Sequence, residues 1–406
     1  MNIVVQKFGG TSVATPSARD QAVKRIVQAK KAGQSPVVVI SAIGRKGDPY
    51  ATDTLLELIN EVGPSVPKRE RDLLLSCGET ISCALVSTLL ANAGYRARAL
   101  TGGQAGIITD AEFGNALIIE VLPEPLKTIV KDGIIPIVAG FQGRTPNGDI
   151  TTLGRGGSDT TAAAVAAALD AEAIEIFSDV EGVMTADPHL VGEAHTLDVV
   201  TYDEVTQLAY QGAKIIHPRA LELAKQYNIP IKVRSTFSDG PGTLVTRGVY
   251  CPGKLQLMPD RLIAGIAHLP NIVQIRVEMP AADKKRETEL FEILAKAGVS
   301  IDLINVFPRA KIFTITKNDL FAAQQALSEA KFEASITREL AKVSVVGAGM
   351  RGVPGVMATV VKVLNSAQVE ILQTADSHAT ISCLVRGVDT QKALCALHEG
   401  FGLGKQ

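Results

Sequence analysis

Hydrophobic and polar positions alternate along this chain in two regimes. From the N-terminus to about residue 248, short runs rich in Val and Ile recur: "NIVVQKF", "PVVVISAI", "IIPIVAGF", "AIEIFSDV" and "IPIKVRS". Each is apolar on both faces, as strands of a sheet covered on both sides must be. Helix-patterned stretches lie between them, from Ser17 to Ala32, Arg69 to Ala93, Thr160 to Leu169 and Tyr202 to Tyr227. This alternation predicts an α/β fold, a three-layer α/β/α sandwich with a mostly parallel sheet, over residues 1–248. In such sheets ligands sit beyond the carboxyl ends of the strands.

The pattern breaks at 249–262, where Gly and Pro in "GVYCPGKLQLMPDR" read as a linker. Beyond it the chain repeats itself at an offset of 70: "LFEILAKAGVSIDLI" (290–304) aligns without gaps on "VVKVLNSAQVEILQT" (360–374), and "NIVQIRV" (271–277) on "AKVSVVG" (341–347). Each copy predicts a small βαββ unit, the first at 263–338 and the second at 339–406. Units this small bury too little surface to stand alone, so they should pack on each other or on a second subunit.

Composition narrows the partners. With 406 residues, 46% apolar and 20% charged, the chain fits a globular protein of two or three domains. A net charge of -1 leaves no broad basic field for nucleic acid or an anionic membrane, so a small-molecule partner is expected. No leader pattern or uninterrupted membrane-length apolar run is evident. Five scattered cysteines and six dispersed histidines, without zinc-ligand spacing, suggest reduced thiols in a cytoplasm and no transition-metal site.

Several segments could carry chemistry. In "VVQKFGGTSV", Lys7 and Phe8 precede Gly9 and Gly10 at a strand end. Glycines let backbone N–H groups approach an anion, and the lysine adds positive charge, although a plain strand-to-helix turn would use the same glycines. This is not P-loop spacing, because the lysine comes first. In "TTLGRGGSDTTAAAVAAAL", Arg155 stands among Gly154, Gly156 and Gly157, with Ser158 or Asp159 as a candidate N-cap. A helix N-terminus beside an arginine suits a phosphate or carboxylate. "FSDVEGVMTADP" (177–188) follows an apolar strand and could hold ribose hydroxyls, a base edge or metal-bound water, or could be a solvated loop. Glu79 lies in an apolar helical stretch, where a carboxylate is costly unless paired. Thr52 and Asp53 could cap a helix, and Lys214 sits between Gly212 and Pro218.

In order along the chain, "KFGGTS", "LLSCGETIS", "GRGGSDTTA", "SDVEGVMTADP" and "QGAKIIHPRA" resemble the aspartokinases of the amino acid kinase family. The two C-terminal repeats resemble ACT regulatory domains. The segments "GRKGDPYATD", "LLLSCGE" and "ILQTADSHATI" look most like the monofunctional, diaminopimelate-sensitive type of Gram-positive bacteria. The resemblance implies transfer of the ATP γ-phosphoryl group to the side-chain carboxylate of L-aspartate, with Mg2+ on the nucleotide. It implies a step leading to lysine, diaminopimelate, threonine and methionine.

By residue, the resemblance puts Lys7, the amides of Gly9 and Gly10, Asp159 and Lys214 at the transferring phosphoryl group. Arg155, with Gly156, Gly157 and Ser158, grips the carboxylate of aspartate. Glu79 takes its ammonium, and Ser41 and Thr52 frame it. Phe8, Ser178, Asp179, Val180, Gly182, Val183 and Met184 line the nucleotide. Asp302, Asn305, Gln373, Asp376 and Ser377 are candidates for an effector site, for diaminopimelate, lysine or threonine, or else cap turns and join the repeats. "GVPG" (352–355) keeps a Pro-Gly helix entrance that "PAADKKRETE" lacks in the first repeat. A homodimer through the repeats is expected, with a tetramer as the alternative. Competing readings are a different amino acid kinase, acting on glutamate, acetylglutamate or UMP, an inactive amino-acid sensor, and a dinucleotide binder suggested by "VVGAGMRG" (345–352).

Overall fold

The structure is a computed structural model. It describes residues 2–404 apart from 64, 214, 248, 252–253, 257–260, 281–282 and 351, with backbone alone for the short strands Val249–Cys251 and Lys254–Gln256. The chain forms two compact units: residues 1–183, 196–209 and 214–258, and residues 184–195, 210–213 and 259–406. Of the segment read as a linker, Val249–Cys251 and Lys254–Gln256 pair as an antiparallel ribbon. Positions 252–253 and 257–260 lie outside the described residues.

The first unit is built on an eight-stranded sheet. Its order is Val199–Thr201, Thr243–Thr246, Ile231–Ser235, Ala173–Ser178, Ile3–Phe8, Ser35–Ile40, Ile135–Ala139 and Ala97–Leu100. The ladders are parallel except between Ile231–Ser235 and Thr243–Thr246. Central strands are buried on both faces, as their unbroken apolar runs require: Val37 to Ile40 are fully enclosed. On one face Phe8, Val38, Ile40 and Phe177 pack with Ile26, Cys83, Val86 and Leu90 of helices Pro16–Lys31 and Lys68–Asn92. Lys7, one residue from Phe8, projects to the opposite face, where Gly157–Leu169 lies. The buried residues of that helix are mostly small (Gly, Ser, Thr and Ala), so helix Pro218–Tyr227 can approach it closely.

Three local features differ from the expectations. The stretch read as one helix from Tyr202 to Tyr227 is two, Tyr202–Tyr210 and Pro218–Tyr227. Gly212, at φ 110°, and Pro218 end the first and begin the second. A four-stranded sheet of Ile118–Val121, Ile107–Thr109, Gln142–Arg144 and Ile150–Thr152 had no apolar run to announce it. Buried Asp72 anchors it, accepting from the Gly114 and Thr152 N–H groups and from Thr152 Oγ1. Lys68–Asn92 is long and apolar enough to cross a bilayer by length and composition. Its inward face nevertheless holds Asp72, Ser76, Glu79 and Ser82 in the protein's own interior.

The second unit is a six-stranded antiparallel sheet. Its order is Asp302–Val306, Ala310–Thr316, Gly265–Glu278, Ala334–Val346, Thr380–Arg386 and Gln373–Asp376. Helices Lys284–Lys296 and Leu320–Glu329 cover one half, and Val356–Ser366 and Thr390–Gly400 the other. The βαββ pattern of each repeat is thus extended by a closing helix. The repeats share their two longest strands. Residues 265–269 pair with 342–346, and 272–278 with 310–316. Ile263 and Ile266 therefore bury in the second repeat's core, although they stand at the start of the first repeat. The division read at 338/339 falls inside Ala334–Val346, where Glu339 turns to φ 58°. Ala186, Val191 and Ala194 also join that core, which is why 184–195 belong to this unit. Of the "GAGMRG" glycines, Gly347 and Gly349 serve packing: a Cβ on Gly347 would lie 2.2 Å from the Leu262 carbonyl oxygen, whereas Gly352, at φ 76°, takes a left-handed turn. Among the described residues no crossover to a second parallel strand follows this segment, which counts against the dinucleotide reading.

Candidate functional site

The site lies at the carboxyl ends of Ile3–Phe8, Ser35–Ile40 and Ala173–Ser178. Lys7 is in register with Val39 and Ile176. Its ammonium lies 2.8 Å from Asp159 Oδ1, and each side chain is 13% exposed. Asp159 Oδ2 accepts the His217 N–H at 3.1 Å. The carboxylate is thereby fixed on both oxygens, in the first turn of its helix, where the dipole favours it.

The two glycines after Phe8 divide their work. A Cβ on Gly10 would meet the Gly44 carbonyl oxygen at 2.5 Å and that of Ala42 at 2.8 Å, so the chain crossing requires glycine. Gly9 leaves open space beside the Lys7 ammonium: its Cβ would sit 3.7 Å away. Its N–H, however, donates to the Phe177 carbonyl at 3.2 Å, so the expected amide donor at Gly9 is already engaged. Phe8 is likewise a core residue, its ring stacked on Phe177 at 4.8 Å, and contributes no surface. Ser12 bonds Thr236 Oγ1 and the Phe177 carbonyl in the interior.

The "GRGGSD" segment begins its helix at Gly157, with Gly156 as N-cap at φ 68°. Ser158 and Asp159 are therefore in the first turn, and neither is the cap. A Cβ on Gly156 would fall 2.0 Å from His217 Cγ. Ser158 is buried against Gly140, and Arg155 is exposed. Lys214 lies outside the described residues.

In helix Lys68–Asn92, Glu79 is 2% exposed. Its Oε1 accepts the Ala42 N–H at 3.1 Å, and its Oε2 has no partner. Burial pushes its carboxyl up to about 8, partly opposed by backbone hydrogen bonds including that from Ala42. A buried oxygen without a donor suits an incoming ammonium. The Ser41 N–H donates to the Phe8 carbonyl, which ties this loop to the Lys7 strand. Ala51 is the N-cap of helix Thr52–Glu61, so half-buried Thr52 is its first residue.

Ser178, Asp179 and Val180 form the loop after Ala173–Ser178. Asp179 pairs with Arg45 at 2.5 Å, and Ser178 Oγ accepts the Val180 N–H. Gly182 and Val183 are buried and fastened by Thr243, whose Oγ1 accepts the Val183 N–H at 2.8 Å. They form wall, not surface. Met184 begins the segment that belongs to the second unit.

In the second unit, Asp302 pairs with buried Lys342. Gln373 joins the two edge strands, its Nε2 donating to Asn305 Oδ1 at 2.7 Å and to the Leu303 carbonyl, while its Oε1 accepts from Gln274. Ser377 caps the turn before Thr380, and Asp376 is exposed at the end of its strand. These contacts join repeats and cap turns.

Sequence reading missed His217, Arg45 and the Ala42 amide. A histidine directly before a helix-starting proline was one available signal. The other two are backbone and long-range facts with none.

The Amino acid kinase family model matches residues 2–235, and an ACT domain model matches 335–399. Aspartokinase 1 of Bacillus subtilis is 49% identical over 405 residues, covering all of both chains. The structure of E. coli aspartokinase III in complex with aspartate and ADP (R-state) aligns with a TM-score of 0.79 at 26% identity, over 98% of this chain and 99% of that one. The same enzyme in complex with lysine and aspartate (T-state) aligns at 0.77 and 27%, over 99% and 100%. From its fold, its site and these full-length similarities, the chain belongs to the aspartokinases, phosphotransferases of the amino acid kinase family.

Proposed function

We propose that this aspartate kinase moves the γ-phosphoryl group of ATP onto the side-chain carboxylate of L-aspartate, giving 4-phospho-L-aspartate and ADP. The Lys7–Asp159 pair at the carboxyl end of the central strand carries this reading. A carboxylate oxygen of aspartate bonds to the γ-phosphorus, and the bond from that phosphorus to the bridging oxygen breaks. The electron pair leaves with ADP. No general base is needed, since the nucleophile is ionised at neutral pH. The protein's work is positioning and charge stabilisation.

Lys7 neutralises the transferring oxygens, with Asp159 holding it in place. Gly9 gives those oxygens room, and Gly10 lets the chain pass close to Ala42 and Gly44. Lys214 assists from the nucleotide side. Arg155, at the Gly156–Ser158 turn, binds a carboxylate of aspartate, and Glu79 binds its ammonium. Ser41 and Thr52 frame the substrate, while Ser178, Asp179 and Val180 meet the nucleotide. Among the described residues no group of three His, Cys, Asp or Glu side chains could hold a metal. Magnesium would be carried by the ATP phosphates, where it would supply charge neutralisation.

Diaminopimelate, lysine or threonine regulates the enzyme through the second unit, near Asp302, Asn305, Gln373, Asp376 and Ser377. The lysine complex of the E. coli relative supports an amino-acid effector. Two copies pair through the same unit, where Ile304, Val306 and Phe307 are exposed at an edge strand. The reaction is tested by trapping the acyl phosphate as a hydroxamate, with ATP, magnesium and aspartate. Trapping with glutamate or acetylglutamate instead would overturn it.

A further inference from the structure

We infer that His217 is a positioning residue for the Lys7–Asp159 pair, its amide holding Asp159 and its imidazole walling the turn that starts the Asp159 helix. The inference rests on Lys7 and Asp159 being at the reacting centre.

Two separate contacts support it. The His217 N–H donates to Asp159 Oδ2 at 3.1 Å, which leaves Oδ1 turned to Lys7 at 2.8 Å. Independently, the His217 ring occupies the place of the missing Gly156 side chain. A Cβ there would lie 2.0 Å from Cγ and 2.3 Å from Cδ2. Only glycine, at φ 68°, allows both this backbone conformation and this approach.

The histidine itself cannot drift. Its carbonyl accepts the Ala220 and Leu221 N–H groups at the start of Pro218–Tyr227, whose inner residues Ala220, Leu221 and Ala224 are buried. Its Nδ1 is buried and has no partner. The ring therefore serves by its shape at this point. One peptide and one ring thus hold both the carboxylate that orients Lys7 and the turn that carries Arg155.

The test is a double-mutant cycle on the full chain, reading kcat and the KM for each substrate. His217→Ala is expected to lower kcat about tenfold, with KM for ATP changed less than about twofold, because a displaced reacting group costs rate before nucleotide binding. His217→Phe keeps the planar shape and should recover most of that loss. Gly156→Ala should lose about a hundredfold by driving a methyl into the ring. Adding His217→Ala to Gly156→Ala should return much of the activity, since the methyl then fills the vacated space. Additive losses in the double variant overturn the inference, as does wild-type kcat in His217→Ala. Should His217→Ala not fold, His217→Ser with and without Gly156→Ala reads the same coupling. If the unsubstituted chain traps no acyl phosphate, the proposed reaction fails instead. The cycle is then read from the four Tm values, where the same non-additivity is expected.

Discussion

Asp159 holds the Lys7 ammonium at 2.8 Å while its other oxygen takes a backbone N–H from a third segment. A lysine held this way has its charge aimed before substrate arrives, so little reorganisation remains at the moment of transfer. Lys7→Ala is expected to reduce kcat about a hundredfold or more, the usual loss when one stabiliser of developing charge is removed. Asp159→Asn keeps the shape and loses the charge, and should fall in the same direction. Because the two act as a unit, the double variant should lose little beyond the worse single one. Steady-state kinetics check this; wild-type turnover in Lys7→Ala removes Lys7 from the site.

Arg155 is exposed at the Gly156 turn and presents a planar fork suited to a carboxylate. Arg155→Ala should raise KM for aspartate about tenfold or more, as loss of a charge-assisted hydrogen bond does, and leave KM for ATP nearly unchanged. Arg155→Lys should recover only part of it, since an ammonium cannot reproduce the fork. Equal changes in both KM values would falsify the assignment.

The sheet and its motif order were legible because they are local. Val37 to Ile40 read as a doubly covered strand, and Gly9 with Gly10 as a turn or close approach at a strand end, the close approach falling at Gly10. What escaped was set by distant partners. Whether the Gly9 amide points at a ligand depends on the Phe177 carbonyl, and the start of the Asp159 helix depends on the His217 ring. The repeat offset showed two similar segments of about one unit each. It did not reveal that residues 265–269 pair with 342–346 and so belong to the second core, since strand exchange leaves each unit's own pattern intact.

Glu79 makes the site pH-dependent. Its carboxyl is raised from the usual 4.5 to about 8 by burial, so the folded, ligand-free chain holds a proton that the unfolded chain releases. Its contribution to stability is therefore full below 4.5 and is lost as pH rises through about 8. An aspartate ammonium would favour the ionised form, so binding should expel the proton and tighten as pH rises toward about 8. Glu79→Gln should flatten both trends and raise KM for aspartate. Thermal melts and aspartate KM values across the range, for the two proteins side by side, provide the measurement. A parallel pH dependence in the variant would assign it to another group.

Gln373 offers the sharpest test of regulation. Its amide spans the two edge strands of the second unit, giving to Asn305 and the Leu303 carbonyl and receiving from Gln274. An effector that binds beside these groups must either extend this chain of hydrogen bonds or replace part of it. In both cases Gln373→Leu, similar in volume and without donors, removes a term from the effector-bound state. A neutral hydrogen bond contributes about 0.5–1.5 kcal/mol, so half-inhibition should require roughly 2- to 10-fold more effector. Titrating diaminopimelate, lysine and threonine against wild type and variant reads this directly. If one of them inhibits both proteins with the same midpoint, the effector binds away from Gln373, and the residue serves only to tie the repeats together.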